Sequence, residues 1–372
     1  VSVPAADWLR RIRALPLPPK VKIMNVCGGH ERAISMAGMR AALPATIELV
    51  PGPGCPVCIC PEEDVFEAIQ LALHEDITLL AFGDMLRVPV NAPRKEARSL
   101  EQARARGGDI RPIASPAEAV GIAEKNPDRP VIFFAAGFET TTAPVAAMLA
   151  QGVPDNLSVL LSGRRTWPAV EMLLATEAPG FDALIAPGHV STVMGPQEWE
   201  FVVAKYHLPA AIAGFTAETL LAAMYSVLRQ LAEHTCFLDN CYQEVVRPGG
   251  NTVARRQLNE VMDVVDANWR GVGTIPASGF ELRPELATHN ARLRFSSYAD
   301  ASRKRLGEMP PGCDCARVVL GKIYPNQCRL YGHACTPRKP IGPCMVSDEG
   351  ACRIWWASGI REPATPGAET AA

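Results

Sequence analysis

The chain of 372 residues has almost no net charge, with 37 Lys and Arg against 39 Asp and Glu for a balance of −2. A nucleic-acid-binding protein normally carries a basic footprint. No basic stripe or amphipathic basic helix is visible here, so nucleic acid is not an expected partner. Long apolar runs are missing too. A run such as Val131 to Ala136 is far too short to cross a bilayer, which takes about 20 residues. The first residues, with Asp7, Trp8 and Arg10 to Arg13, lack the apolar core of a signal peptide. A soluble cytoplasmic protein with no membrane partner is the expectation.

What the chain does have is cysteine, 12 of them. Four fall within residues 27–60, six within 313–352, and only Cys236 and Cys241 lie between. Disulfide-stapled folds are typically small and exported. In a large chain without an export signal, two tight clusters point to metal and redox chemistry.

Hydrophobic residues make up 48% of the sequence, enough for a packed core, and the length suits two or three domains. Short apolar strands alternate with helices: Val21 to Val26, Thr46 to Val50, Ile77 to Phe82, Val131 to Ala136, Leu157 to Leu161, Ala183 to Ala186 and Ala210 to Ala213 read as strands. Helices are expected at Glu31 to Leu43, Glu62 to His74, Thr216 to Ala232 and Asn251 to Trp269, with a solvated connection over 94–108. The alternation implies an α/β fold with two similar doubly wound parallel-sheet domains and a C-terminal helical or irregular iron–sulfur domain. The expected division is an N-terminal arm (1–20), a first α/β domain (21–120), a second (121–235), a C-terminal cysteine domain (236–360) and a disordered tail (361–372).

The polar motifs sit directly after strands, where open α/β sheets bind ligands. They are Cys27-Gly28-Gly29-His30, the loop Gly52 to Cys60, Gly83-Asp84-Met85, Gly137 to Pro144 and Gly188-His189. That placement predicts one cleft. The Gly52 to Cys60 loop is rich in Pro and Gly, which hold an irregular shape. Its Cys55 and Cys58, at C-x-x-C spacing, read as a redox dithiol, with a zinc half-site as the plain alternative. Cys60 is a third participant or a packed thiol. Cys27 has an open backbone beside it and an exposed thiol. His30 reads as a proton carrier or a satisfied helix-terminus histidine, and Glu139 as a carboxylate at the cleft mouth or a helix cap.

The C-terminal six are Cys313, Cys315, Cys328, Cys335, Cys344 and Cys352, with no C-x-x-C among them. Zinc knuckles usually pair cysteines two to four residues apart. Wide spacing among Gly and Pro suits an iron–sulfur cluster, with one thiolate per iron. Spacing alone does not choose four of the six.

Together these segments resemble the HypD family of nickel–iron hydrogenase maturation factors. The resemblance rests on Cys27-Gly28-Gly29-His30, Gly52-Pro53-Gly54-Cys55-Pro56-Val57-Cys58, Gly137-Phe138-Glu139-Thr140-Thr141, Cys335-Thr336-Pro337 and Gly342 to Ser347, in the right order over nearly the whole chain. It implies a redox-active scaffold enzyme that assembles an iron centre carrying two cyanides and one carbon monoxide, Fe(CN)2CO, with the small protein HypC and the cyanide donor HypE. The family's cluster spacing, C-x14-C-x6-C-x16-C, falls on Cys313, Cys328, Cys335 and Cys352. These would hold a 4Fe-4S cluster, leaving Cys315 and Cys344 as a separate pair. Cys27 is similar to the family's iron-anchoring cysteine, Cys55 and Cys58 would relay electrons to it, and His30 and Glu139 would handle protons or orient the incoming group. Two departures stand out. Arg32 occupies the place of a second histidine usual in the family, and Cys60 is an addition to the loop. The alternatives kept open are an iron–sulfur thiol–disulfide reductase resembling ferredoxin:thioredoxin reductase and a zinc-stabilised binding module.

Overall fold

The structure, a computed structural model, describes residues 3–298 and 309–363. Its strands are β1 (Val21–Asn25), β2 (Ile47–Pro51), β3 (Thr78–Phe82), β4 (Asp109–Ile113), β5 (Val131–Gly137), β6 (Leu157–Arg164), β7 (Ala183–Pro187), β8 (Ala210–Ala213), β9 (Leu238–Asn240), β10 (Met262–Trp269) and β11 (Gly273–Leu282). They form a five-stranded sheet, β2-β1-β7-β8-β9, and a six-stranded sheet, β10-β11-β6-β5-β3-β4. Every pairing in the first sheet is parallel. In the second, β4, β3, β5 and β6 are parallel, and β11 runs antiparallel to both β6 and β10. All residues of β5 and β6 are buried, as expected where helices cover both faces of a parallel sheet.

The α/β class holds, but the sheets do not follow the expected boundaries. β2 is an edge strand on β1, and β1 pairs on its other side with β7, from beyond residue 180, and not with β3. The second sheet takes β3 to β6 and then β10 and β11 from residues expected in the C-terminal domain. Consecutive strands usually neighbour each other, which is why the sequence reading divides the chain at residue 120. Here the chain leaves the first sheet after β2, builds most of the second, returns for β7 to β9, and crosses again for β10. The first crossing runs through the Cys55–Cys58 loop.

Several helices also differ from expectation. The segment expected as one helix to Leu43 is two, Gly28–Met36 and Met39–Ala42, interrupted where Gly38 adopts φ 61°. The helix expected to reach Trp269 stops at Val261. Asn251 caps its start by accepting from the N–H groups of Val253 and Ala254. From Met262 the backbone instead pairs with β11, Met262 opposite Leu282. Its β-branched Val264 and Val265 suit a strand. The connection at 94–108 contains a helix, Leu100–Ala105, capped by the Ser99 hydroxyl, with Leu100 and Ala103 buried.

The cysteine-rich segment from Met309 onward is mostly irregular. Its helix Ala351–Ala357 packs on Gly28–Met36, and its helix Cys315–Val319 packs on the short helix Pro56–Ile59. Among the described residues no helix is long and apolar enough to cross a membrane. Of the expected tail, residues 364–372 lie outside the described residues.

Candidate functional site

Cys27 lies two residues beyond β1 and is the N-cap of helix Gly28–Met36. The neighbouring β2 runs parallel, Asn25 opposite Pro51, so the Gly52 to Cys60 loop leaves its sheet beside Cys27. Backbone bonds close the gap: Gly52 N–H donates to the Asn25 carbonyl at 2.8 Å and Gly28 N–H to the Gly54 carbonyl at 3.1 Å. A Cβ on Gly54 would stand 2.4 Å from Cα of Cys27, and one on Gly28 would stand 2.4 Å from the Glu349 carbonyl oxygen. Glycine is required at both places because three stretches of backbone meet there. Cys55 and Cys58 are joined by a disulfide, and the Cys55 sulfur accepts from Cys58 N–H at 3.2 Å.

A small cavity results, lined by Cys27, Cys55, Cys58, Cys344, Glu31 and Glu349, among others. Cys27 is partly exposed, while Cys55 and Cys58 are buried at 4% and 1% exposure. Burial pushes the Cys27 thiol up to about 12; the Glu349 carboxylate pushes the same way, and the N–H groups of His30 and Gly29 oppose it. Glu349 is itself raised by burial and by Asp84, with Arg32 opposing. Arg32, the departure from the family motif, therefore acts on a carboxylate of the cavity wall. Ser347 ties this wall to the second sheet, its hydroxyl donating to Asp84 at 2.7 Å and accepting from Glu349 N–H at 3.1 Å. Glu31 is a fixed anchor. It accepts from Asn25 at 3.1 Å, from Arg40 at 2.8 Å and from the Trp355 indole at 2.7 Å.

His30 is fully buried. Its Nε2 lies 3.1 Å from the Ala213 carbonyl, and since a carbonyl only accepts, Nε2 carries the proton. Nδ1 is buried and makes no hydrogen bond. Burial lowers the ring to about 4, with the nearby His189 acting in the same direction, so His30 is neutral at pH 7. Phe215 separates the two histidines, stacking on His189 at 3.7 Å and tilting against His30 at 4.8 Å.

Glu139 sits apart from this cavity. It begins the helix Glu139–Ala150 after β5, is fully buried, and accepts from Thr166 N–H and Thr166 hydroxyl, both at 2.7 Å. Burial raises its carboxyl. Its charged neighbours are Arg165 and Glu198, which pair at 3.5 Å. Cys60 is buried with its sulfur 3.4 Å from the Ser162 hydroxyl, which donates to Asp64 at 2.6 Å.

The six C-terminal cysteines converge. The sulfurs of Cys313 and Cys315 are 3.4 Å apart, and both press on Gly342, where a Cβ would stand 2.4 and 2.5 Å from them. Cys315 also meets Cys344 and Cys352, whose hydrogen bonds hold the Cys344 thiol well below its ordinary value. Backbone N–H groups point at the sulfurs: Ile341 to Cys335 at 3.3 Å, Cys352 to Cys344 at 3.4 Å, and Asp314 and Leu330 to Cys328. Cys328 and Cys335 both feel the charges of Cys313 and Cys315. Among the described residues no three His, Cys, Asp or Glu side chains surround a single metal ion. A cluster makes a different demand, one thiolate to each iron around a larger body. Gathered soft thiols with backbone donors suit that demand.

Of the residues singled out from the sequence, the fold brings Cys27, His30, Cys55 and Cys58 together at the end of the first sheet and places Glu139 elsewhere. Glu31 and Glu349 are not among those residues. Both sit beside legible motifs, but their importance lies in contacts across more than 300 residues.

The profile of the HypD family, described as "Hydrogenase formation hypA family", matches residues 5–359. Hydrogenase maturation factor HypD2 of Bradyrhizobium diazoefficiens is 38% identical over 368 residues, covering 95% of this chain and 94% of that protein. Hydrogenase maturation factor HypD of Rhizobium leguminosarum bv. viciae is 37% identical, covering 95% and 93%. HypD of Escherichia coli is 36% identical, covering 90% and 88%. With matches of this length and identity, the chain belongs to the HypD family of hydrogenase maturation factors.

Proposed function

We propose that this maturation factor holds its cargo, an iron carrying two cyanides and one carbon monoxide, on the thiolate of Cys27, sharing it with a cysteine of a HypC-type partner. The observation that carries this reading is the cavity itself, in which Cys27 and the Cys55–Cys58 pair line one wall-to-wall space. A thiolate is a soft ligand suited to such iron, and iron binding replaces the proton that burial holds on Cys27.

Cyanide arrives as a thiocyanate on a HypE-type partner. Its release needs two electrons. Cys55 and Cys58, as a dithiol, supply them: the disulfide forms, the S–C bond breaks, and the two thiol protons go to the departing cyanide and to the freed HypE sulfur. The resulting disulfide must then be reduced. A four-iron cluster held by Cys313, Cys328, Cys335 and Cys352 would supply single electrons for this. The protein's own thiols bridge the distance, because Cys344 meets Cys315 and Cys352 on one side and lines the Cys27 cavity on the other. His30 offers an unpartnered Nδ1 as a proton acceptor next to the Cys27 helix turn.

A thiol–disulfide reductase would use the same thiols on a protein disulfide. The burial of Cys55 and Cys58 favours a slim group that a partner can reach into the cavity, such as a thiocyanate, over a protein disulfide, which needs an attacking thiol at the surface. Iron and acid-labile sulfide analysis of the protein isolated anaerobically with a HypC-type partner tests the proposal. Four sulfides and more iron than sulfide, the excess disappearing in Cys27→Ala, is the expected result. Zinc without sulfide indicates the binding module, and excess iron that persists in Cys27→Ala defeats the anchor.

A further inference from the structure

The cysteine-rich segment differs in charge from the rest of the molecule. Between Met309 and Pro363 seven Lys and Arg stand against four Asp and Glu, in a chain whose total charge is −2. Two of the seven are engaged, Arg317 with Asp314 at 3.6 Å and Arg353 with Asp348 at 3.7 Å. Arg329, Arg338, Lys339 and Arg361 are exposed and have no ion pair among the described residues.

These four frame one loop. Arg329 follows Cys328, and Leu330 accepts from Cys335 N–H at 2.8 Å, closing the loop between the two cysteines. Arg338 and Lys339 belong to the turn after Cys335, in which Thr336 and Lys339 exchange backbone hydrogen bonds at 3.2 and 3.0 Å. Arg361 lies against the loop from the other side, where a Cβ on Gly332 would stand 2.3 Å from its carbonyl oxygen. Tyr331 packs against Trp356, over whose ring Arg361 lies at 5.9 Å. The positive charge is therefore concentrated around Cys328 and Cys335, which lie beside Cys313 and Cys315 among the thiols that lead by way of Cys344 to Cys27.

We propose that this basic face docks an acidic one-electron carrier protein that reduces the chain. The proposal rests on the electron-delivery reading above and names how electrons enter. Two carriers in succession each give up one electron and leave oxidised; the two electrons and two protons from solvent convert the Cys55–Cys58 disulfide into two thiols. Opposite charges steer such encounters and set the docking orientation, an effect that salt screens.

The test uses the iron–sulfur-loaded protein under anaerobic conditions, with a reduced acidic plant-type ferredoxin as the probe and dithionite as a small reductant that needs no docking face. Free thiols at Cys55 and Cys58 are counted with time, and ferredoxin binding is measured separately by calorimetry at low and high salt. In Arg329→Glu/Lys339→Glu, reduction by ferredoxin is expected to slow about tenfold at low salt and binding to weaken in step, while reduction by dithionite is unchanged. Arg338→Glu/Arg361→Glu provides a second pair should the first fail to fold, and Arg256→Glu, on the helix Thr252–Val261, should have no effect. Equal ferredoxin binding and rates in wild type and both double variants would overturn the docking face. A disulfide that dithionite cannot open in the wild type counts against the electron-delivery reading alone, and the binding measurement still decides the docking face.

Discussion

The backbones of Cys27 and Gly54 are in direct contact: a Cβ on Gly54 would stand 2.4 Å from Cα and 2.5 Å from N of Cys27. The contact sets the disulfide loop against the start of the helix Gly28–Met36, and with it the spacing between anchor and dithiol. Replacing Gly54 by Ala forces these two backbones apart. Overpacking of this kind costs about 1–3 kcal/mol, so Gly54→Ala should melt several degrees lower. It should also lose the Cys27-bound iron even at temperatures where it is folded. Wild-type iron content in a folded Gly54→Ala protein would show that the contact is not needed.

His30 gives a pH dependence with a definite sign. Its folded value, lowered to about 4 by burial, lies below the ordinary 6.5. The unfolded chain therefore takes up a proton that the folded one refuses. This contribution is fully present above pH 6.5 and is lost as pH falls towards 4, by roughly 3 kcal/mol in all. His30→Gln keeps a donor for the Ala213 carbonyl and does not titrate. Its stability, followed by urea denaturation between pH 7 and pH 4.5, should fall less steeply than that of the wild type. Parallel curves would mean that His30 titrates alike in the folded and unfolded chain, and that burial does not lower it.

Cys55→Ser and Cys58→Ser each remove the disulfide while leaving the C-terminal thiols in place. Both variants should keep the cluster's visible absorbance and lose hydrogenase maturation in a complementation assay. Cys344→Ser should behave in the same way, since Cys344 borders both centres. Maturation at wild-type level in Cys58→Ser would remove the dithiol from the mechanism.

Glu139 is engaged by Thr166 through both carboxylate oxygens. Glu139→Gln keeps a matching partner for each, so its stability and maturation activity should stay close to wild type. Thr166→Val leaves one buried oxygen unpaired and should cost about 1–3 kcal/mol, read as a lower melting temperature. A stable Glu139→Gln protein without activity would instead assign the carboxyl a part in proton handling.

Local features of the sequence marked seven of the eleven described strands, β5 most clearly as a continuous apolar run, and each polar motif follows one of them; β4, β9, β10 and β11 were not expected as strands. The pairing of the strands was not legible. Nothing in residues 21–51 states that β1 will meet β7 and not β3, since that choice depends on contacts more than 150 residues apart. The same limit applies to the site. Cys27, Cys55 and Cys58 stand out by residue type and by the glycines and prolines around them. Glu349 does not, because its place in the cavity wall comes from packing on Gly28. The stretch from Met262 to Trp269 misled for a different reason: its apolar spacing continues a helical pattern, and only pairing with β11 makes it a strand.

The central claim is that Cys27 carries the iron and that the neighbouring dithiol serves it. Infrared spectroscopy of the chain in complex with a HypC-type partner reads this directly, because cyanide and carbon monoxide on iron have stretching bands in a window free of protein absorption. Both sets of bands should be present in the wild type and vanish in Cys27→Ala while the cluster absorbance remains. Cyanide and carbonyl bands unchanged in Cys27→Ala would contradict the account.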